Sequence, residues 1–247
     1  MIPWTFCGNC WDSEVMNASN NPEYMSHTRQ ERPQVKICGL TRLEEATACA
    51  ELGAAAIGFV FYPPSPRYVS ADQAAEIIRE LPTHICTVGV FVNESFTEIM
   101  QKVNRCGLKA VQLHGQENPE LSEKLMEQGM LVIRGLYVNK QPSIQNADRY
   151  KASAYLVECA GGPLPGGNAL AWDWSAAAEI CRQKPVVLAG GLNPGNVTDA
   201  IHAACPDAVD VSSGVETAPG RKNPHKVRFF MEAVRCADTC RKSKKIF

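Results

Sequence analysis

Several short stretches of this chain place reactive side chains where apolar runs end. In Lys36-Ile37-Cys38-Gly39-Leu40-Thr41 a thiol follows a lysine by two residues and comes just before a predicted helix. Residues two apart in a strand share a face, so Lys36 and Cys38 point the same way. A helix N-terminus nearby would shift the thiol toward thiolate, its reactive form; a buried structural cysteine is the alternative. Tyr62-Pro63-Pro64-Ser65-Pro66-Arg67-Tyr68 is a proline-stiffened loop presenting Arg67. Its guanidinium fork suits a carboxylate or phosphate, against the alternative of an ordinary surface arginine. Glu158 closes the apolar run AYLVEC, where a lone acid is rare unless it is paired or functional. Gln112 and His114 share a face at the end of KAVQLH.

Two further stretches suit an anion. Gly190 and Gly191 follow PVVLA, and Asp210-Val211-Ser212-Ser213-Gly214 closes a later run. Glycines let backbone N–H groups approach a ligand closely, so Gly190, Gly191, Ser213 and Gly214 are candidate phosphate contacts, with ordinary turns as the alternative. Asp210 is a candidate for a ribose hydroxyl or for positioning its neighbours.

The elements that must hold these groups are regular from residue 35 onward. Near-continuous apolar runs at 35–40, 55–61, 85–92, 109–114, 131–137, 154–159, 185–190 and 207–213 read as parallel strands covered on both faces. Helix starts are marked by capping-box patterns at Thr41/Glu44, Ser70/Gln73 and Ser95/Glu98, and by Asn-Pro at 118–119, 193–194 and 223–224. Gly53, Gly107 and Gly129 stand where helices should stop. Val227, Phe230, Met231 and Val234 form one apolar helix face. Eight βα units in roughly 200 residues predict a single-domain α/β protein, a (β/α)8 TIM barrel over 35–236, with function at the C-terminal strand ends. An open doubly wound sheet is the competing architecture, but no GxGxxG follows a strand. The stretch 161–174, rich in Gly and Pro, reads as a ligand-covering loop.

Composition agrees with a globular domain. The chain has 247 residues, 45% hydrophobic and 21% charged, with a formal net charge of −1. That balance argues against disorder and against nucleic acid as a partner. No apolar run of about 18 residues predicts a membrane span. Eleven cysteines, mostly within apolar segments, read as buried thiols in a reducing cytoplasm. Residues 1–34 read as a poorly ordered extension without a secretory signal, and 237–247 as a solvated basic tail. Cys7 and Cys10 form a lone CxxC, which Cys236 and Cys240 are too weak a pattern to complete as a zinc site.

Taken together and in order, KICGLTR, FVFYPPSPRYV, VGVFVN, VQLHG, LAGGLNPGNV and DVSSGVE resemble the phosphoribosylanthranilate isomerase family across about residues 35–236. The resemblance implies a (β/α)8 barrel that performs an Amadori rearrangement in tryptophan biosynthesis. It converts N-(5-phosphoribosyl)anthranilate to 1-(2-carboxyphenylamino)-1-deoxyribulose 5-phosphate with no metal or organic cofactor. It implies Cys38 as general base, Arg67 as the partner of the anthranilate carboxylate, and the acid closing strand six as general acid. The family has aspartate there and this chain has Glu158, with about 1.5 Å more reach. Burial at an apolar strand end would keep such an acid protonated. The family's GGTGKTFDW loop is altered to GGNALAWDW, without its lysine. The expected partner is a small phosphorylated substrate, for a monomer or homodimer. Two alternatives stay open: a sister isomerase of histidine biosynthesis, whose members use paired aspartates, and a barrel that binds a phosphorylated ligand without turnover.

Overall fold

The computed structural model describes residues 32–159, 171–239 and 241–247. Each of the eight apolar runs forms a strand: β1 (Gln34–Cys38), β2 (Ala56–Val60), β3 (Cys86–Phe91), β4 (Ala110–Leu113), β5 (Leu131–Tyr137), β6 (Ala154–Glu158), β7 (Val186–Leu188) and β8 (Ala208–Val211). They pair in parallel, in sequence order, and β8 closes on β1. Helices α1 (Leu43–Glu51), α2 (Ala71–Glu80), α3 (Phe96–Cys106), α4 (Pro119–Glu127), α5 (Ala178–Gln183) and α6 (Val197–Ala204) connect the strands, and α7 (Pro224–Cys236) follows β8. Between β5 and β6 there is a 3-10 segment, Ile144–Arg149, instead of an α-helix. A proline and asparagines precede and enter it, which are poor helix formers.

Strand parity sorts the side chains into two layers. Val35 and Ile37, Ile57 and Phe59, Val111 and Leu113, Tyr155 and Val157, and Val209 and Val211 belong to the core between strands and helices. Ala56, Ala110, Ala154, Leu156 and Ala208 fill the barrel interior. The alternation therefore turns Lys36 and Cys38 (β1), Gln112 (β4), Glu158 (β6) and Asp210 (β8) inward.

Helix ends follow the capping patterns in part. Ser95 and Glu98 form a reciprocal capping box on α3, and Gly107 closes that helix in the left-handed region. Asn118 and Asn223 cap α4 and α7. Ser70 caps α2, but Gln73 sends its side-chain amide to the Thr41 carbonyl instead of back to Ser70. Thr41 does not cap α1: its hydroxyl donates to Gly220 O at 2.8 Å, and α1 begins after Arg42 without a side-chain cap. Asn193 likewise builds a turn, accepting from Gly195 N at 2.8 Å, and α6 begins later, at Val197. In both places a tertiary partner or a tight turn claims the side chain that the local pattern assigns to the helix.

The two ends of the chain differ from the expected tails where they are described. Gln34 is the first residue of β1. Its side chain accepts from the N–H groups of Ile246 and Phe247 at 2.6 and 3.0 Å and donates to Phe247 O. Ile246 is buried among the first interior residues of the strands, and Asp207 accepts from Lys244 N and pairs with Arg241. The closing segment thus covers the end of the barrel opposite the strand C-termini; its apolar residues find the open interior of the barrel, which the basic character of the stretch concealed. Cys7, Cys10, Cys240 and most of the Gly/Pro-rich loop lie outside the described residues. Of the described cysteines, Cys38, Cys49, Cys86, Cys106, Cys159, Cys181 and Cys236 are free thiols, and Cys205 is disulfide-bonded. Among the described residues no helix is long and apolar enough to cross a membrane.

Candidate active site

The C-terminal ends of the strands bring most of the chemistry-bearing residues to one mouth. On β1, Lys36 is fully buried and its Nζ donates to Asp210 Oδ1 on the adjacent β8 at 2.9 Å. The register that pairs Lys36 with Asp210 sets this contact. Cys38, one turn of the pleat further along, shares the inward face of β1 with Lys36, whose charge acts on it. Its thiol occupies the space above Gly58 of β2, where a Cβ would stand 2.9 Å from Sγ. Glycine at that position is what lets the thiol lie flat against the neighbouring strand.

The electrostatics correct the expectation of a helix-activated thiol. Helix α1 starts at Leu43, and burial dominates, pushing the Cys38 thiol above its ordinary value. Lys36 and Lys222 work against that rise, and Asp210 adds to it. Lys36 is held above the usual lysine value: burial disfavours its charge, but Asp210 and Cys38 outweigh that cost. Burial raises Asp210, with Lys36 opposing; His114 and Glu158 are also close enough to act on it, with opposite signs. The groups on β1, β4, β6 and β8 thus share one cavity mouth. Burial also raises Cys49 and Cys181, each to about 12, with Lys222 opposing at Cys49 and Arg241 and Arg182 opposing at Cys181.

Glu158 ends β6, opposite Tyr137 in the register with β5. Its Oε1 lies 3.2 Å from His114 Nε2, and both side chains are buried. In the closed strand order β6 lies three strands from β1 one way round and five the other, so Cys38 and Glu158 approach the mouth from nearly opposite walls.

Arg67 is not a surface arginine. It is buried, and Glu216 takes it in a two-pronged grip, Nε to Oε1 at 2.9 Å and Nη2 to Oε2 at 2.7 Å. Lys222 Nζ donates to the same Oε1 at 2.6 Å and to Ser212 O at 3.2 Å. Burial disfavours the Glu216 charge, yet the bonds from Arg67 and Lys222 leave its carboxyl below the usual range. Burial pulls Lys222 down despite Glu216. The arginine is fixed before any ligand arrives, with Nη1 outside the grip. Gly39, at φ +77°, is needed here twice: for its backbone and because a Cβ would stand 2.6 Å from Arg67 Cδ.

At β7 and β8 the glycine turns are formed. Gly190 and Gly191 both have positive φ. Their carbonyls accept from Trp174 Nε1 at 3.3 Å and Asn196 Nδ2 at 3.0 Å. Peptide planarity then turns the N–H of each following residue away from that partner. Ser213 and Gly214 lie in the 3-10 segment Ser213–Val215. A Cβ on Gly214 would collide with Leu192 O, which draws the turns after β7 and β8 together.

Sequence reasoning did not single out Glu216, Lys222, Trp172 or Trp174. Glu216 and Lys222 sit on the short hairpin β9 (Glu216–Ala218) and β10 (Arg221–Lys222), a short polar stretch without apolar alternation. The partner of Glu216 is 149 positions away, so no local pattern marks it. Trp172 Nε1 donates to Ala189 O at 3.0 Å and its ring lies against Gly190; the WDW spacing was the available signal.

A closed parallel barrel with its titratable groups gathered at the strand C-termini is the arrangement of a (β/α)8 enzyme. Residues 35–233 match the family model described as N-(5'-phosphoribosyl)anthranilate (PRA) isomerase. The chain belongs to the phosphoribosylanthranilate isomerase family. It is 52% identical over 199 residues to the N-(5'-phosphoribosyl)anthranilate isomerase of Desulfatibacillum aliphaticivorans, covering 81% of this chain and 91% of the relative. It is 44% identical to that of Syntrophus aciditrophicus, covering 82% and 87%. Among solved structures, the phosphoribosyl anthranilate isomerase of Thermotoga maritima aligns with TM-score 0.75 and 40% identity over 82% of this chain and 98% of that one. A phosphoribosyl anthranilate isomerase in complex with reduced 1-(o-carboxyphenylamino)-1-deoxyribulose 5-phosphate aligns with TM-score 0.73 at the same identity and coverage.

Proposed function

We propose that this chain isomerises N-(5-phosphoribosyl)anthranilate to 1-(2-carboxyphenylamino)-1-deoxyribulose 5-phosphate, a step of tryptophan biosynthesis. The observation that carries the reading is the pairing of a thiol and a carboxyl group on inward positions of β1 and β6 at one barrel mouth. Glu158 is the acid and Cys38 the base. Glu158 gives its proton to the ribose ring oxygen as the C1′–O bond breaks, and the anilinic nitrogen lone pair closes to an iminium. The Cys38 thiolate takes the C2′ proton; the C–H electrons form the C1′–C2′ double bond and neutralise the iminium. The resulting enolamine tautomerises to the ketone, so the sequence is balanced without an external oxidant or reductant.

The remaining residues fit the ends of that substrate. Arg67, held by Glu216, offers its outer edge to the anthranilate carboxylate. Backbone N–H groups around Gly190, Gly191, Ser213 and Gly214, with the start of α6 behind them, suit the phosphate. Lys36 and Lys222 favour the thiolate that burial disfavours, and Asp210 keeps Lys36 charged. The test is turnover of freshly made phosphoribosylanthranilate, followed by loss of its fluorescence. C38A and E158Q are each expected to lower kcat by about 10²-fold or more with smaller effects on KM. A wild-type chain without turnover, or either variant with near-full activity, overturns the reading.

A further inference from the structure

Glu158 does not stand alone at the mouth. Its Oε1 lies 3.2 Å from His114 Nε2, in ion-pair range but not aligned as a hydrogen bond, and is buried with no hydrogen-bond partner among the described residues. On the other side of the ring, Gln112 Nε2 lies 3.2 Å from His114 Nδ1. With the Gln112 amide in this orientation its N–H donates to Nδ1 and leaves Gln112 Oε1 buried without a partner among the described residues; the ring proton then sits on Nε2, facing the carboxyl group.

The ring's place is built rather than incidental. A Cβ on Gly135 would stand 3.0 Å from Nδ1, so glycine there makes the room. The Tyr137 ring packs beside the imidazole with centroids 5.9 Å apart, and its hydroxyl donates to His114 O at 2.9 Å. His114 N donates to Phe91 O at 2.9 Å. Fully buried Arg134 clamps the same turn, donating to Leu113 O at 3.2 Å and Gly115 O at 3.1 Å and pairing with Glu117, which accepts from Gly115 N. The backbone on both sides of His114 is pinned, which fixes where Nε2 points.

We propose that His114 is the positioning residue of the general acid: its Nε2, 3.2 Å from the otherwise unpartnered Oε1 of Glu158, holds that oxygen once a small turn of the carboxyl group aligns the two, so that a long, rotatable side chain presents its proton in one orientation. The contact depends on arm length. A carboxyl group drawn back by one methylene, about 1.5 Å, falls outside hydrogen-bond range of Nε2. The inference rests on the isomerase reading, in which Glu158 is the acid.

The experiment compares His114 variants in two backgrounds, wild type and E158D, by phosphoribosylanthranilate turnover, with thermal melts to establish folding. In the wild-type background H114N is expected to lower kcat by about tenfold or more, with KM changed by less than about threefold. H114Q, whose amide nitrogen reaches the place of Nε2, should keep kcat within about threefold. In the E158D background H114N should change kcat by less than about threefold, because the imidazole there has no carboxyl group to hold. Equal losses in both backgrounds, or a loss carried by KM, overturn the proposal while the isomerase reading stands. A wild-type chain without turnover overturns the isomerase reading itself. Where H114N does not fold, Q112L, which removes only the amide that orients the ring, takes its place with the same two outcomes.

Discussion

Alanine at position 58 separates the thiol's position from its presence. A Cβ on Gly58 would stand 2.9 Å from Cys38 Sγ and 3.2 Å from both Cys38 Cα and Lys36 Cε. Ordinary carbon contacts lie at about 3.5–4.0 Å, so the pair must separate by about 0.5–1 Å. The backbone cannot yield: Cys38 and Gly58 are partners in the parallel ladder, and Gly58 O accepts from Gly39 N and Leu40 N at 2.9 and 3.1 Å. The thiol therefore rotates away. A misplacement of about 1 Å in a reacting group costs about 10²-fold in rate, or about 2.7 kcal/mol of barrel-mouth geometry expressed as activation free energy. Overpacking costs about 1–3 kcal/mol of stability in addition. The expected result for G58A is a kcat about 10²-fold down with KM within about threefold, since neither Arg67 nor the glycine turns are touched. Fluorescence turnover gives both constants, and a thermal melt gives the stability loss. G107A and G129A are the controls: each glycine has positive φ but nothing within 4 Å of a Cβ, so these variants should lose about 1 kcal/mol of stability and no kcat. Wild-type kcat in G58A refutes the reasoning, as does a loss carried by KM.

Two further outcomes follow from the same geometry. K36M removes the cation that most lowers the Cys38 pKa and leaves burial and Asp210, which raise it. Below its pKa the thiol is protonated and takes no proton from carbon, so the rising limb of kcat/KM against pH should move to higher pH; the alkylation rate of the Cys38 peptide, read by mass spectrometry across pH, should move with it, and an unmoved midpoint contradicts the assignment. I246A empties a buried position at the far end of the barrel and should cost about 2 kcal/mol, or roughly 5 °C in Tm, with kcat unchanged; an unchanged melt would show that the segment 241–247 does not hold that end closed.

Helix caps show where local chemistry is enough and where it fails. Ser95, Asn118 and Asn223 cap as their patterns predict, because nothing else competes for them. Thr41 has the same pattern, but its hydroxyl is taken by Gly220 O, 179 positions away. The basic residues near the C-terminus read as solvated, and Lys242, Lys244 and Lys245 are exposed; Arg241 instead pairs with Asp207, and Ile246 enters the barrel.

The order of apolar runs determined the eight strands, and their period of two placed Lys36, Cys38, Gln112, Glu158 and Asp210 on a common face, since both properties are local to each strand. The motifs of the strand ends were enough to point to the family. Closure of the barrel decided the rest. Only the meeting of β1 with β8 sets Lys36 on Asp210, only the return of β9 and β10 locks Arg67 in Glu216, and only the approach of β4 and β6 puts His114 against Glu158. These are contacts between residues tens to hundreds of positions apart, and the burial that pushes the Cys38 thiol upward exists only once every wall of the mouth is in place.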